Sequence, residues 1–224
     1  MSESVCEKML HNQVVFLFVG PSGSGKTTLT EYIAQTLNGK VVSSYTTRPP
    51  RYEGETGHVF ISESEFDKLG ALCAYTEYNG YRYGVTSTLI DESDFYVIDP
   101  AGIHEMLSNY TGKRQPIIIW LDCDAETCAA NMGLRGDSEE QIQNRLELDS
   151  HVFTAAALDA LRSAYDEKYP HPFVEGVYQL RVTSPDVTKF EALSIVQMYD
   201  TFYSLSDGLR LAITSLRNRK LGEH

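Results

Sequence analysis

Val14-Val-Phe-Leu-Phe-Val19 runs straight into Gly20-Pro21-Ser22-Gly23-Ser24-Gly25-Lys26-Thr27, and a helical pattern of Leu29, Ile33 and Leu37 follows until Asn38-Gly39. The first six residues are apolar and either branched or aromatic, which is the composition of a short buried strand. The next eight satisfy G-x-x-x-x-G-K-[ST]. That motif carries a mechanism only where a strand precedes it and a helix follows, as here. Its glycines let backbone N–H groups turn inward around a polyphosphate, and the helix that opens near Lys26 adds the positive end of its dipole. On this reading Gly20, Ser22, Gly23, Ser24, Gly25, Lys26, Thr27 and Thr28 form an ATP-binding loop. Lys26 reaches the β- and γ-phosphates, and the Thr27 hydroxyl ligates Mg²⁺.

Outward from this loop, apolar runs alternate with helical patterns. Val41-Val42 begins a second short strand, and Phe95-Tyr-Val-Ile98 and Ile117-Ile-Ile-Trp-Leu121 read as two more, closed by Asp99 and Asp122. An acid at the end of an apolar strand is the usual second half of such a site, and Asp99 is the better placed of the two. Ser138-x-x-Gln141 caps one long helical pattern through Leu146, Val152 and Leu161. Val177 to Val182 is a last strand, and Ser184-Pro185 opens a final helix with a cap and a first-turn proline. The expected class is α/β, a P-loop NTPase three-layer fold with a mainly parallel central sheet. From Tyr45 to about Thr88 the texture shifts to Pro, Gly, Tyr and charge, with a capping box at Ser62-x-x-Glu65, so this segment reads as an insertion.

The chain has 224 residues, 42% of them hydrophobic and 22% charged, which suits one globular domain with insertions. A net charge of −12 argues against a general nucleic-acid binder or an anionic-membrane partner, so any polyanion site must be local. Cys6, Cys73, Cys123 and Cys128 form no C-x-x-C pair and the six histidines are scattered, which disfavours a zinc site or a disulfide framework. Met1 to Asn12 lacks a cationic-then-apolar leader pattern, and Val14 to Val19 is too short to span a bilayer. A cytoplasmic protein acting on small molecules is the expectation.

In this acidic chain, Ser43-Ser-Tyr-Thr-Thr-Arg-Pro-Pro-Arg51 sets two arginines three apart around a Pro-Pro corner, a fixed receptor for an anion. With this stretch in view the sequence resembles the guanylate kinase family. The shared features are the Gly20 to Leu29 loop, Ser44 with Thr46-Thr47-Arg48-Pro49-x-Arg51, Gly54 to Gly57-His58, and Phe60-x-Ser62-x-x-Glu65-Phe66. Asn79-Gly80-x-x-Tyr83-Gly84 and Arg135-Gly136-Asp137-Ser138-Glu139-Glu140 with Arg145 continue them in the family's order.

The resemblance implies an ATP- and Mg²⁺-dependent nucleoside monophosphate kinase. Its core would cover about 12–44, 89–130 and 146–202, with an NMP-binding insertion at about 45–88 and a lid at about 131–145. A helical appendage at about 203–224 would follow, marked by Leu209, Ile213 and Leu216. It also implies that Ser44, Arg48, Arg51, His58 and Tyr83, with Asp99, bind the acceptor monophosphate, and that Arg135 and Arg145 act with Lys26 on the transferring phosphate. Such transfer is mainly alignment of two anions and neutralisation of their charge, so no general base is nominated.

Three departures bear on the acceptor. Aligned on Asn79-Gly80 and Tyr83-Gly84, Ala74 stands where the family carries a glutamate that reads guanine N–H groups, and Val85 where a Ser or Thr reads O6. The loop between Arg51 and Phe60 is shortened, with His58 near a family tyrosine. Relaxed or altered base specificity is therefore expected, with Glu77 or Thr86 as possible substitutes for the missing readers. Ribose bisphosphate phosphokinases of the same family also have a short loop with a histidine and a Tyr-Gly-Val like Tyr83-Gly84-Val85, which keeps a sugar-phosphate acceptor open. A non-catalytic interaction module is the remaining alternative, opposed by the intact loop.

Overall fold

The computed structural model describes residues 13–50, 53–55, 57–78, 80–170 and 175–204. Arg51, Asn79 and the segment beyond 204 therefore lie outside the described residues, and with them one predicted acceptor ligand and the predicted appendage.

Four parallel strands form the central sheet: β1 (Val14–Val19), β6 (Phe95–Val97), β7 (Gln115–Asp122) and β8 (Val177–Arg181), in the order β6-β1-β7-β8. Every residue of β1 is buried, so both faces of the strand need apolar cover, as in any doubly wound sheet. Val14, Phe16 and Phe18 meet α1 (Lys26–Leu37) and α8 (Pro185–Ser204) through Ile33, Leu37, Val196 and Tyr199. Val15, Leu17 and Val19 face α4 (Pro100–Asn109) and α7 (Ala155–Lys168) through Ile103, Met106, Leu158 and Leu161. These are the three layers expected of the P-loop fold.

A second sheet is built from β2 (Ser44–Thr46), β3 (His58–Phe60), β4 (Leu72–Tyr78) and β5 (Tyr81–Thr86), ordered β3-β2-β5-β4. Its β4–β5 hairpin is antiparallel, and β2 pairs antiparallel with β5 and parallel with β3. Cys73, Ala74 and Val85 from this sheet join the same buried cluster as α4 and α7, so it is seated on the core. Two short helices, α2 (Glu63–Phe66) and α3 (Ser87–Asp91), flank it. The Ser62 capping box on α2 is present as expected.

Two expectations are corrected. Val41-Val42 is not a strand among the described residues: Val41 makes an isolated parallel bridge to Phe95, and Lys40 is tied instead to Asp94 through its backbone N. The long helix after Ser138 is two helices, α6 (Glu139–Val152) and α7, because Thr154 adopts extended backbone and its hydroxyl caps the second from Ala157 N. The apolar period continued across a capping threonine that also fits a helix start. Helix α5 (Ala125–Leu134) completes the chain order. Among the described residues no helix is long and apolar enough to cross a membrane.

Candidate active site

The loop after β1 takes its shape from two close contacts. A Cβ at Gly23, where φ is +79°, would fall inside contact distance of the Cys128 carbonyl oxygen on α5. One at Gly20 would lie 2.9 Å from Leu121 Cβ on β7. Asn131, also on α5, donates through Nδ2 to the Gly23 carbonyl at 2.7 Å, so α5 holds the loop from behind. Gly25 then adopts φ +84° and hands the chain to α1. Cys128 is buried and Cys123 half-buried beneath this loop.

Lys26 curls back over the loop and donates to the carbonyls of Gly20 at 2.6 Å and Pro21 at 2.8 Å. Burial lowers its pKa to about 8, against a smaller upward pull from Asp149. An ammonium that is largely removed from water gains most from an arriving anion. Ser24 Oγ is buried with no hydrogen-bond partner among the described residues, a donor left over inside the cradle. Thr27 is exposed on the first turn of α1 and, with Thr28, faces the same space.

That space is a cavity of about 560 Å³. It is lined by the loop from Ser22 to Thr28, by Arg135 and Arg145, and by Ser184 and Lys189 at the start of α8. Arg135 ends α5 and Arg145 stands on α6, and both guanidinium groups rest on one carboxylate, Asp137 Oδ2, at 3.1 and 3.2 Å. The arginine side chains are about half exposed, so these pairs contribute little to stability.

The second cluster lies on one face of the smaller sheet. Strand alternation puts Ala74 and Thr76 of β4, Tyr83 and Val85 of β5, and Ser44 and Thr46 of β2 on a common side. Ser44 Oγ and His58 Nδ1 are 2.9 Å apart, and the His58 ring stands edge-on to Tyr83 at 5.7 Å. Arg48 lies over the Phe60 ring and gives both terminal nitrogens to Glu55, at 2.7 and 3.1 Å, in a pair whose side chains are only 9% and 7% exposed. That hydrogen bonding, with a further bond from Arg48 to the Tyr83 hydroxyl oxygen, raises the Arg48 pKa. Ser44, Arg48, His58 and Tyr83 thus come together, with the Arg48 guanidinium held by Glu55.

Asp99 is engaged as the N-cap of α4, accepting from Gly102 N at 2.8 Å, and Asp122 takes Gln179 Nε2 at 3.3 Å. Glu77 points to the opposite face from Ala74 and accepts from the Tyr75 hydroxyl, while Thr86 caps α3 through Leu89 N. Neither expected substitute therefore lies on the face that carries Ala74 and Val85. Glu55, Thr76 and Asp149 belong to these clusters and were not picked out from sequence. Period-two alternation from Ala74 finds Thr76, and the acid inside the arginine-rich loop points to Glu55. Nothing local marks Asp149.

No family model matches the chain. It is 34% identical over 161 residues to a guanylate kinase of Neisseria meningitidis serogroup A, spanning 64% of this chain and 76% of that protein. The chain belongs to the guanylate kinase family. Within the family it is 26% identical over 199 residues to a guanylate kinase of Nitrosomonas europaea, spanning 82% and 88% of the two chains. It is also 37% identical over 145 residues to a ribose 1,5-bisphosphate phosphokinase PhnN of Thiobacillus denitrificans, across 59% and 74%. A crystal structure of guanylate kinase from Anaplasma phagocytophilum superposes with a TM-score of 0.52 at 19% identity over 92% of this chain and 97% of that one, which agrees with the fold.

Proposed function

We propose that this guanylate-kinase-family protein transfers the γ-phosphate of ATP to a (deoxy)nucleoside monophosphate, with relaxed or altered base selectivity. The observation that carries the reading is the shared cavity: the phosphate loop, Lys26 and both lid arginines line one space. Phosphoryl transfer needs little more than two aligned anions and fixed positive charge around them. Inward backbone N–H groups and the Ser24 hydroxyl fit the β-phosphate end of ATP, and Lys26 neutralises charge between the β- and γ-phosphates. Arg135 and Arg145 exchange Asp137 for the transferring group. Thr27 would hold Mg²⁺ through its hydroxyl, since this cation is bound with substrate phosphates and water rather than by an all-protein cage. When bound, Mg²⁺ supplies charge neutralisation and orientation of the phosphates.

On the acceptor side, Ser44, His58, Tyr83 and the edge of the Arg48 guanidinium present donors to a phosphomonoester, with Arg51 of the loop as a further ligand. Ala74 and Val85 face each other in register and are buried, so neither of these two positions offers a carboxylate or a hydroxyl to a base. A site lacking such groups discriminates among related bases weakly.

The same apolar pair supports a second reading, a sugar-phosphate kinase, together with the 37% identity to a ribose 1,5-bisphosphate phosphokinase. Those sugar-phosphate kinases tend not to keep the second arginine of the pair, so Arg51 favours the nucleotide. One experiment tests both: ADP release from MgATP with every ribo- and deoxyribonucleoside monophosphate and with ribose 1,5-bisphosphate as acceptor. Turnover with nucleotides alone supports the proposal, and turnover with the bisphosphate alone replaces it by the second reading. MgATP binding without ADP release on any acceptor would leave an interaction module.

A further inference from the structure

Asp149 stands on α6 one turn beyond Arg145, on the same side of the helix. Its Oδ2 accepts a hydrogen bond from the backbone N of Ser22 at 2.6 Å across 127 residues of sequence. Ser22 lies inside the phosphate loop, where inward N–H groups are the anion donors. The same carboxylate acts on Lys26, partly offsetting the effect of burial on the ammonium. A negative group thus sits on a loop N–H and within reach of the loop lysine, which is how an anion in the cradle is held.

Core packing does not force this placement. Helix α6 contributes no buried residue, and its cap at Ser138 is local. The bond to Ser22 is a tie between an exposed helix and the loop, made by one side chain. A phosphate oxygen and a carboxylate oxygen cannot both accept from one N–H without bringing two anions into contact, at a cost that is steep in a water-poor cleft. On this ground, and resting on the reading of the loop as the ATP site, we infer that Asp149 is a built-in competitor for the polyphosphate. It occupies part of the phosphate seat and leaves when ATP loads. Its departure frees the segment of α6 that carries Arg145, so filling of the loop and release of a lid arginine are linked.

A seat that is filled most of the time lowers apparent affinity by the fraction of molecules in which it is open. Loss of one charge-assisted hydrogen bond to that seat corresponds to an affinity gain of about tenfold. Asp149→Asn keeps size and shape while removing the charge. The expected result is a Kd for MgATP about tenfold lower than wild type by titration calorimetry, a matching fall in KM for ATP, and an unchanged KM for the acceptor. Thermal stability should fall slightly, because Ser22 N loses its charged partner, so tighter binding would accompany a weaker fold. Glu147→Gln on the same helix, where the side chain is exposed, removes an equal charge away from the loop and should leave Kd within about twofold.

Equal MgATP affinity in wild type and Asp149→Asn overturns the inference while leaving the nucleotide reading in place. Weaker binding in the variant also overturns it, assigning Asp149 to the loaded site instead. A gain equal to that of Glu147→Gln overturns it as well, since charge at a distance would then suffice. Absence of MgATP binding in both wild type and Asp149→Asn defeats the nucleotide reading itself, and the inference with it.

Discussion

At the scale of single residues, the site is held by charges that gain from a ligand. Lys26 is the clearest case. Its pKa, lowered by burial to about 8, lies below the usual 10.5, so the folded protein binds fewer protons than the unfolded chain between these values. Folding stability should therefore rise with pH across that window, while affinity for a polyphosphate, which needs the charged form, should fall as pH climbs through about 8. Calorimetry of MgATP binding should show proton uptake near pH 8.5, and a Kd flat from pH 7 to 9.5 would contradict it. Lys26→Met should abolish transfer without loss of thermal stability, because glycines and α5 shape the loop and the lysine contributes charge. Arg48 behaves differently. It is buried against Glu55, so Arg48→Ala should lower stability by about 3 kcal/mol in addition to impairing acceptor use, with ATP binding little changed. Stability equal to wild type in urea titration would show that the pair is not the structural tie its burial implies.

At the scale of elements, the phosphate loop, α1 and α5 act as one unit. Gly23→Ala adds a Cβ against the Cys128 carbonyl at a positive φ, and should cost roughly 2–4 kcal/mol and abolish nucleotide binding. Gly25→Ala meets open space, so only backbone strain applies and the cost should be about 1–2 kcal/mol. Equal destabilisation of the two variants would refute the packing role of α5. The loop was legible in sequence because its residues are contiguous and its glycines serve local backbone needs. The same holds for strands whose apolar runs are bounded by turns, such as Phe95–Val97. Boundaries that depend on partners were not legible. Val41 has a neighbour strand on hand but its backbone extends pairing by one bridge only, and the break at Thr154 is hidden because Phe153 continues the apolar pattern while packing on Trp120. Contacts between distant segments, Asp149 to Ser22 and Glu105 to Tyr75 N, leave no local trace at all.

At the scale of the whole molecule, the smaller sheet and the parallel core share one hydrophobic cluster, and this decides what the acceptor meets. Ala74 and Val85 belong to one buried cluster with Ile90, Ile103 and Leu161, so the two positions proposed to face the base are part of the protein interior. Guanine placed there would leave donors and an acceptor unpaired, at about 1–3 kcal/mol for each group. Strict GMP selectivity should thus be absent, with another acceptor used as well as or better than GMP. Glu77 cannot restore it from the outer face, where it holds the Tyr75 hydroxyl. Glu77→Gln should accordingly leave the ranking of acceptors in competitive kinetics within about threefold of wild type. A thousandfold preference for GMP or dGMP that collapses in Glu77→Gln would mean that β4 turns over when the acceptor binds. Such a turn would have to lift Ala74 out of the shared core, so the same variant would then also shift the thermal stability gained on acceptor binding, and the two measurements together fix which face of β4 reads the substrate.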